Sequence, residues 1–455
     1  MAELPQALLD SLTTLPGFNV TSFVQAHEQG AAVSIRFNPA KRLISSNDLP
    51  IGDRVPWCPA AVYLRERPSF TLDPLFHGGA YYVQEASSMF LDAIVRQVLP
   101  SDKPLLALDL CAAPGGKSTL LHAALPAGSM LVSNEVIKTR VPVLLENLAR
   151  WGTAHSIVTQ NDPRDFTKLD SVFDLVVVDA PCSGSGLFRR EPEWRAGWSE
   201  DVVAHCAARQ DRVLRDVLPA LKPGGWLIYS TCSYSAQENE SIADLLIAEH
   251  GLESVPVGVE AEWQVEETRS VNGAYGYRFY PHRLQGEGFF AAVFRKPGFR
   301  SDAHYAERST RSTTAWLKQM PVDDIDAWID DPASWAYFQQ EDNVHAFPPS
   351  WVALLDTLRT SLYMRRAGLV LGEAIRGKLN PAPELALSYH NRFVNQLPLS
   401  LEDARDFLRG KSIQTTAPST GWWLVTFSGI ALGWIKALPN RNNNYYPKAW
   451  RIQHL

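Results

Sequence analysis

The chain lacks the marks of a membrane, secreted or metal-stapled protein. No stretch of its 455 residues approaches the ~20 consecutive apolar side chains that a bilayer span needs. The N-terminus, MAELPQALLD, has no basic segment leading into an apolar run, so no secretory leader is expected. Five cysteines, at 58, 111, 182, 206 and 232, are too few and too scattered for a disulfide framework. None has the C-x-x-C spacing of a structural zinc site, and no metal is expected. There are no internal repeats or low-complexity tracts. There is also no excess of positive charge. Basic residues number 43 against 49 acidic ones, a net of −6, which excludes a uniformly basic nucleic-acid coat but leaves room for local basic patches. With 45% hydrophobic and 20% charged residues, wholesale disorder is excluded. The expectation is a cytoplasmic monomer of two or three domains, without membrane contact.

Residues 1–85 mix short apolar segments with many prolines. SIRFNPAK, from Ser34, reads as a strand followed by a turn at Asn38-Pro39. A small α+β domain is expected there. From 86 to 298 the pattern is different. The apolar runs LLALDL (105–110), MLVSNE (130–135), HSIVTQND (155–162), FDLVVVDAP (173–181) and GWLIYSTCS (225–233) alternate with helix-compatible stretches. Such strands predict an α/β domain whose parallel sheet is buried on both faces. GFFAAVFRK (288–296) is a late strand. Residues 299–313 are polar and read as a linker, the first part of a 299–360 accessory segment whose acidic, Trp-containing remainder packs or faces solvent. From 361 to 455 the chain is basic and strand-rich. GWWLVTFSGIALGWIKAL holds two strands around a turn at Ser428-Gly429.

The first apolar strand runs into CAAPGGKSTLL (111–121). A glycine turn between a strand and a helix lets backbone approach a ligand closely, with unpaired N–H groups behind it. The spacing is neither G-x-G-x-x-G nor that of a P-loop. The next strand ends in Asn134-Glu135, where a carboxylate can accept both hydroxyls of a ribose. The third ends in Asn161-Asp162, where one can accept an adenine amine. The plainer alternative makes the glycines a turn and the acids helix caps. Asp179-Ala-Pro-Cys182 and Tyr229-Ser-Thr-Cys232 follow the next two strands, so a parallel sheet brings both cysteines to the edge that carries the Gly115 loop. Thiolates are nucleophiles. Cys58, Cys111 and Cys206 read as small buried hydrophobes.

Together these segments resemble the Nop/Sun-type RNA (cytosine-5) methyltransferases. The match rests on SIRFNPAK, GAYYVQEASSM (79–89), CAAPGGK (111–117), Glu135, Asp162, DAPCSGSG (179–186), YSTCS (229–233) with Glu238-Asn239-Glu240, and PHRLQGEGFFAAVFRK (281–296). Residues 368–388 and 438–451 resemble the PUA-like tail of the F-type bacterial small-subunit ribosomal RNA methyltransferases. The resemblance implies a class I S-adenosylmethionine-dependent fold, a Rossmann-like seven-stranded sheet ordered 3-2-1-4-5-7-6 with strand seven antiparallel. It implies S-adenosyl-L-methionine binding by Cys111, Ala112, Ala113, Pro114, Gly115, Gly116 and Lys117, with Glu135 on the ribose, Asp162 on the adenine side and Asp179 beside cofactor and base. It makes Cys232 the nucleophile and Cys182 the group that helps release product.

That chemistry is coherent. Carbon 5 of cytosine is a poor nucleophile, and adding a thiolate to carbon 6 makes it enamine-like. Asp179 is expected near N3 and the exocyclic amine, as a donor if protonated. Lys117 either orients Asp179, stabilises a thiolate, or is a helix-surface lysine. The base must be unstacked to expose carbon 6. Arg189, Arg190 and Arg195, with Trp194 and Trp198, are expected to grip the RNA, or else to form a solvated face with buried tryptophans. In the tail, Lys436, Arg441, Lys448 and Arg451 interleave with Tyr445, Tyr446 and Trp450, and Arg365, Arg366, Arg376 and Lys378 form a second basic group. Ribosomal RNA is the expected substrate. Transfer RNA, or a non-catalytic role in ribosome assembly, are the alternatives. Truncation near residue 300 is expected to spare cofactor binding.

Overall fold

The computed structural model describes residues 3–41, 49–298, 323 and 325–453. Two short helices, α1 (Gln6–Leu12) and α2 (Val20–Glu28), precede a four-stranded sheet. Its strands are β1 (Val33–Phe37), β2 (Ile51–Arg54), β3 (Ala61–Leu64) and β4 (Tyr81–Val83), in the order β2-β3-β1-β4. A single helical turn, α3 (Pro74–His77), capped by the Asp73 side chain, sits before β4.

The central sheet holds β5 (Leu106–Asp109), β6 (Met130–Asn134), β7 (Ser156–Thr159), β8 (Phe173–Asp179), β9 (Leu221–Thr231), β10 (Glu253–Ser254), β11 (Glu266–Arg269), β12 (Tyr275–Phe279) and β13 (Phe289–Arg295). Reading from β7, the order is β7-β6-β5-β8-β9-β13-β12. The first five strands are parallel and β13 is antiparallel to β9, so the 3-2-1-4-5-7-6 arrangement is present. β11 extends the sheet beyond β12, and β10 pairs with β13. The apolar runs become strands because both faces are covered: β5, β6 and β7 are buried at every residue. One face packs under α4 (Phe90–Val98) and α5 (Gly116–Ala124). The other packs under α7 (Glu200–Val217) and α8 (Glu240–Ala248), while α6 (Val141–Trp151) covers the Gly115 loop with Leu144 and Leu148.

The C-terminal third departs from the division drawn at 361. β14 (Ala336–Gln340) and β15 (Asn343–Phe347) complete a four-stranded sheet with β17 (Leu369–Ile375) and β18 (Lys378–Pro381). Between them, β16 (Met364–Ala367) joins the central sheet beside β7. Residues 336–347 of the 299–360 segment are therefore half of a sheet and Val352–Ser361 a helix packed in the core of the central domain, not a separate accessory piece, and Trp328 is buried against Phe393 with ring centroids 4.5 Å apart. The expected linker at 299–313 lies outside the described residues. The last sheet runs β19 (Gln396–Pro398), β20 (Gly421–Phe427), β21 (Ile430–Leu438), β22 (Arg441–Asn444). Its central hairpin turns at Ser428 and Gly429, with φ of 47° and 79°, the paired left-handed conformation that suits a two-residue hairpin loop. No helix among the described residues is long and apolar enough to cross a membrane.

Candidate active site at the carboxyl edge of the central sheet

Strands β5, β6, β7, β8 and β9 deliver their carboxyl ends to one edge, where open α/β sheets bind ligands. After β5 the chain crosses Cys111–Pro114 and enters α5 through Gly115, whose φ of 113° suits glycine alone. A Cβ on Gly116 would lie 3.3 Å from the Tyr82 ring, so the loop also packs tightly on the N-terminal domain. Side chains near α6 hold it down: Arg140 donates to the Ala113 carbonyl at 2.6 Å, and Asn147 to that of Pro114 at 2.8 Å. Beneath the loop Asp109 is fully buried and accepts from the Ser118 hydroxyl at 2.6 Å. Burial pushes its carboxyl up to about 7, opposed by the Ser118 hydrogen bond.

A cavity of about 550 Å³ opens at this edge. Of the residues expected to hold a cofactor, Cys111, Ala113, Glu135, Asp162 and Asp179 line it, and so do both expected catalytic cysteines. Ala112, Pro114, Gly115, Gly116 and Lys117 do not line it. They shape the loop, and Lys117 reaches Asp179 from the side. Glu135 Oε1 accepts the Ile137 N–H at 2.8 Å, and its other oxygen lies 3.4 Å from Arg140. Asp162 accepts from the Arg164 N–H at 3.2 Å and sits 3.5 Å from Arg212. Asp162 is thus the cap of the short helical turn at Pro163–Lys168 and a cavity wall at once, whereas Glu135 holds the turn after β6 without capping α6.

Both Asp179 oxygens are already engaged within the site. The Lys117 ammonium donates to one oxygen at 2.8 Å and the Ser230 hydroxyl to the other at 2.8 Å, so both act as acceptors. Burial alone would lower the Lys117 ammonium, but the Asp179 ion pair outweighs it and holds the group above its ordinary value. Lys117 is therefore no surface lysine. The sulfurs of Cys182 and Cys232 are 3.1 Å apart. The Cys182 thiol is held well above its ordinary value, first by its hydrogen bond to the Cys232 sulfur and then by burial and charge. Burial pushes the Cys58 thiol up to about 12, as an inert buried thiol should be, whereas Cys111, also pushed up by burial and neighbouring acids, is part-exposed on the cavity wall.

The expected RNA-gripping residues divide. Arg189 is buried against Glu287 at 2.7 Å, and Arg195 donates to the Phe188 carbonyl at 2.8 Å with 6% of its surface exposed. Both are engaged within the fold, and Arg189 also lines a second cavity with Arg67 and Arg190. Arg190 is exposed, and Trp194, 49% exposed, lines the cavity mouth over Gly184. Trp198 is buried. In the tail, Arg441 and Lys448 are exposed, and the Lys436 ammonium lies 5.1 Å from the Trp422 ring centre. Tyr446 is buried, with its hydroxyl 3.2 Å from His77, and Arg366 pairs with Glu384 at 3.1 Å. Sequence reasoning missed Arg209 and Arg212, which line the cavity from α7. Their three-residue spacing on one helix face was the available signal.

Three stretches match known families. Residues 4–86 match the "N-terminal domain of 16S rRNA methyltransferase RsmF", 97–295 match "16S rRNA methyltransferase RsmB/F", and 394–452 match the "Methyltransferase RsmF PUA domain". A "Ribosomal RNA small subunit methyltransferase F" from Aeromonas hydrophila is 30% identical, across 94% of this chain and 93% of that protein. One of the same description from Aliivibrio salmonicida is 28% identical, across 98% and 97%. A solved methyltransferase homologue from Pyrococcus horikoshii is 27% identical with a TM-score of 0.52, covering 64% of this chain and 100% of the other. With its site geometry, its three matched regions and relatives of the same length, the chain belongs to the RsmB/F family of 16S rRNA methyltransferases.

Proposed function

We propose that the protein methylates carbon 5 of a cytosine in 16S ribosomal RNA through a covalent bond from Cys232 to carbon 6, resolved with help from Cys182. The observation that carries this reading is the pair of sulfurs 3.1 Å apart in the cavity that Glu135 and Asp162 also line. The residues fit S-adenosylmethionine. Glu135 offers a carboxylate to a ribose diol, half-exposed Val136 and Ile137 offer apolar surface to a purine, and Asp162 offers an acceptor to its amine. When bound, that cofactor supplies the sulfonium methyl that carbon 5 takes up, and leaves as S-adenosylhomocysteine.

The chain's own groups do the rest. The Cys232 thiolate bonds to carbon 6 and the C5=C6 electron pair moves to carbon 5. Asp179, aligned by Lys117 and Ser230, accepts a hydrogen bond from the exocyclic amine and orients the ring. Carbon 5 must then lose its proton. In the free site the Cys232 sulfur is the largest cause holding the proton on Cys182. Once that sulfur is bonded to carbon, this hold is gone; Cys182 releases its own proton to solvent and, as the thiolate, takes the carbon 5 proton directly or through a water. The C5–H electron pair re-forms the double bond and expels the Cys232 thiolate. Trp194 stacks on the RNA at the cavity mouth while Arg190, Arg209 and Arg212 meet phosphates; Lys436, Arg441 and Lys448 dock the tail.

The test is a denaturing gel with RNA and labelled cofactor. Cys232→Ala should form no adduct and transfer no methyl. Cys182→Ala should accumulate a methylated protein–RNA band. The opposite pattern would exchange the roles. No adduct in either, with activity retained, would return both cysteines to packing. Bisulfite sequencing of 16S ribosomal and transfer RNA from a deletion strain identifies the target.

A further inference from the structure

We infer that Glu238 is a positioning residue that fixes both catalytic sulfurs at once; the inference rests on the two-cysteine reading above. Glu238 exposes no surface, and its carboxylate lies under both cysteine loops. One oxygen accepts the Ser183 N–H at 2.7 Å and the Gln210 side chain at 3.3 Å. The other accepts the Ser183 hydroxyl at 2.6 Å and the Ser233 hydroxyl at 2.5 Å. Ser183 follows Cys182 and Ser233 follows Cys232, so a single carboxylate fastens the residue next to each sulfur. Its own backbone is pinned in turn, because the Tyr229 hydroxyl donates to the Glu238 carbonyl at 2.6 Å.

The choice of a carboxylate is informative. Burying an ionised group is costly unless it is well paired, and these four partners are neutral donors. Packing alone would be served as well by an apolar side chain. A carboxylate has something an apolar residue lacks: acceptor positions for two loops that come from different strands. Two separate contacts would set each loop independently. A shared one sets the distance between them. The same negative charge is among the groups that keep the proton on Cys182, behind the Cys232 sulfur and burial.

The shared fastening predicts separable defects. Ser233→Ala releases the nucleophile's loop, and adduct formation in a single turnover should slow about tenfold, roughly what one lost hydrogen bond to a charged group is worth. Ser183→Ala removes the hydroxyl bond to the other loop and leaves the Ser183 N–H bond in place: adduct should form at the normal rate and be resolved more slowly. Glu238→Gln should show both defects, with affinity for S-adenosylmethionine unchanged by calorimetry, because Glu238 is not among the residues lining the cavity. A purely structural role would instead slow both steps alike in every variant, in line with lost thermal stability, and that outcome overturns the inference. So does wild-type kinetics in Glu238→Gln.

One readout does not depend on catalysis. A monosubstituted arsenoxide condenses with two adjacent thiols, forming two As–S bonds and releasing water. The wild type should capture phenylarsine oxide through Cys182 and Cys232, and Cys182→Ala should not. Glu238→Gln should bind it markedly more weakly. If Cys182→Ala yields no RNA adduct while Glu238→Gln still loses arsenical capture, the covalent reading falls and the positioning role stands. Undiminished capture by Glu238→Gln overturns the positioning role itself.

Discussion

Arg189 and Arg190 adjoin in the chain, but only Arg190 keeps its guanidinium in solvent. Its side chain is 53% exposed, while that of Arg189 is 6% exposed and locked to Glu287. Arg189→Ala should strand a buried carboxylate and cost about 3–5 kcal/mol, read by denaturant unfolding. Arg190→Ala should stay within about 0.5 kcal/mol of wild type and instead weaken RNA binding, lowering the salt slope by about one. A large stability loss in Arg190→Ala would show the two assignments reversed. These arginines also mark how far the sequence could be read. The chemistry of CAAPGGK, DAPC and STCS is local, so each motif named its residues, and parallel strands brought them together. Arg189 and Glu287 stand 98 residues apart, and nothing near either announces the other. Glu238 was visible as part of a resemblance but without a role, because its role is a contact to two loops that only the fold brings together.

Long apolar strands were legible because burial on both faces leaves continuous runs of Leu, Val and Ile. The β20–β21 hairpin was legible through Ser428-Gly429. β16 was not. Its sequence, MRRA, has no apolar run, and it reaches β7 across about two hundred residues. There it covers the sheet edge next to the cavity, pairing Met364 with Thr159 and Ala367 with Ile157. Asn161, the residue before Asp162, exchanges hydrogen bonds with the Tyr363 backbone at 2.9 and 3.2 Å. This changes the expectation for truncation. A chain ending near residue 300 loses β16, exposes β7 as a free edge and leaves Asn161 without that support. Its affinity for S-adenosylmethionine should fall, and it should associate through the bare edge. Tyr363→Ala in the full chain should bind the cofactor normally, because backbone makes both bonds. Equal affinity in the truncated and full-length proteins, by calorimetry, would show β16 to be dispensable for the site.

At the scale of the molecule the three sequence-defined regions interlock. Asn38 donates to the Trp151 carbonyl at 2.9 Å, Arg405 to that of Leu72 at 3.0 Å, and Ser388 to that of Gly152 at 3.1 Å. Buried histidines sit in each part. His27 on α2 packs toward Tyr234 beside the catalytic strand, His77 meets Tyr446 from the tail, and His345 on β15 stacks on Phe338. Burial lowers all three to about 4, with Arg150 adding to the effect at His77. A histidine whose folded value is depressed is neutral in the native state, while the unfolded chain takes up its proton near 6.5. The unfolded state therefore binds more protons as pH falls through that window, and the native state loses ground. Stability should be whole above about pH 6.5, decline from there to about pH 4, and be insensitive to these groups below. Each histidine can contribute about 3 kcal/mol over the full window, against a total of about 5–15 kcal/mol for a typical fold. Urea unfolding should thus show a midpoint that drops steeply between pH 6.5 and 4.5. His77→Gln should flatten part of that slope without lowering the midpoint to the same degree at pH 7.5. A midpoint unchanged between pH 7.5 and 5 would mean that these rings are already charged, or are solvated, in the folded protein.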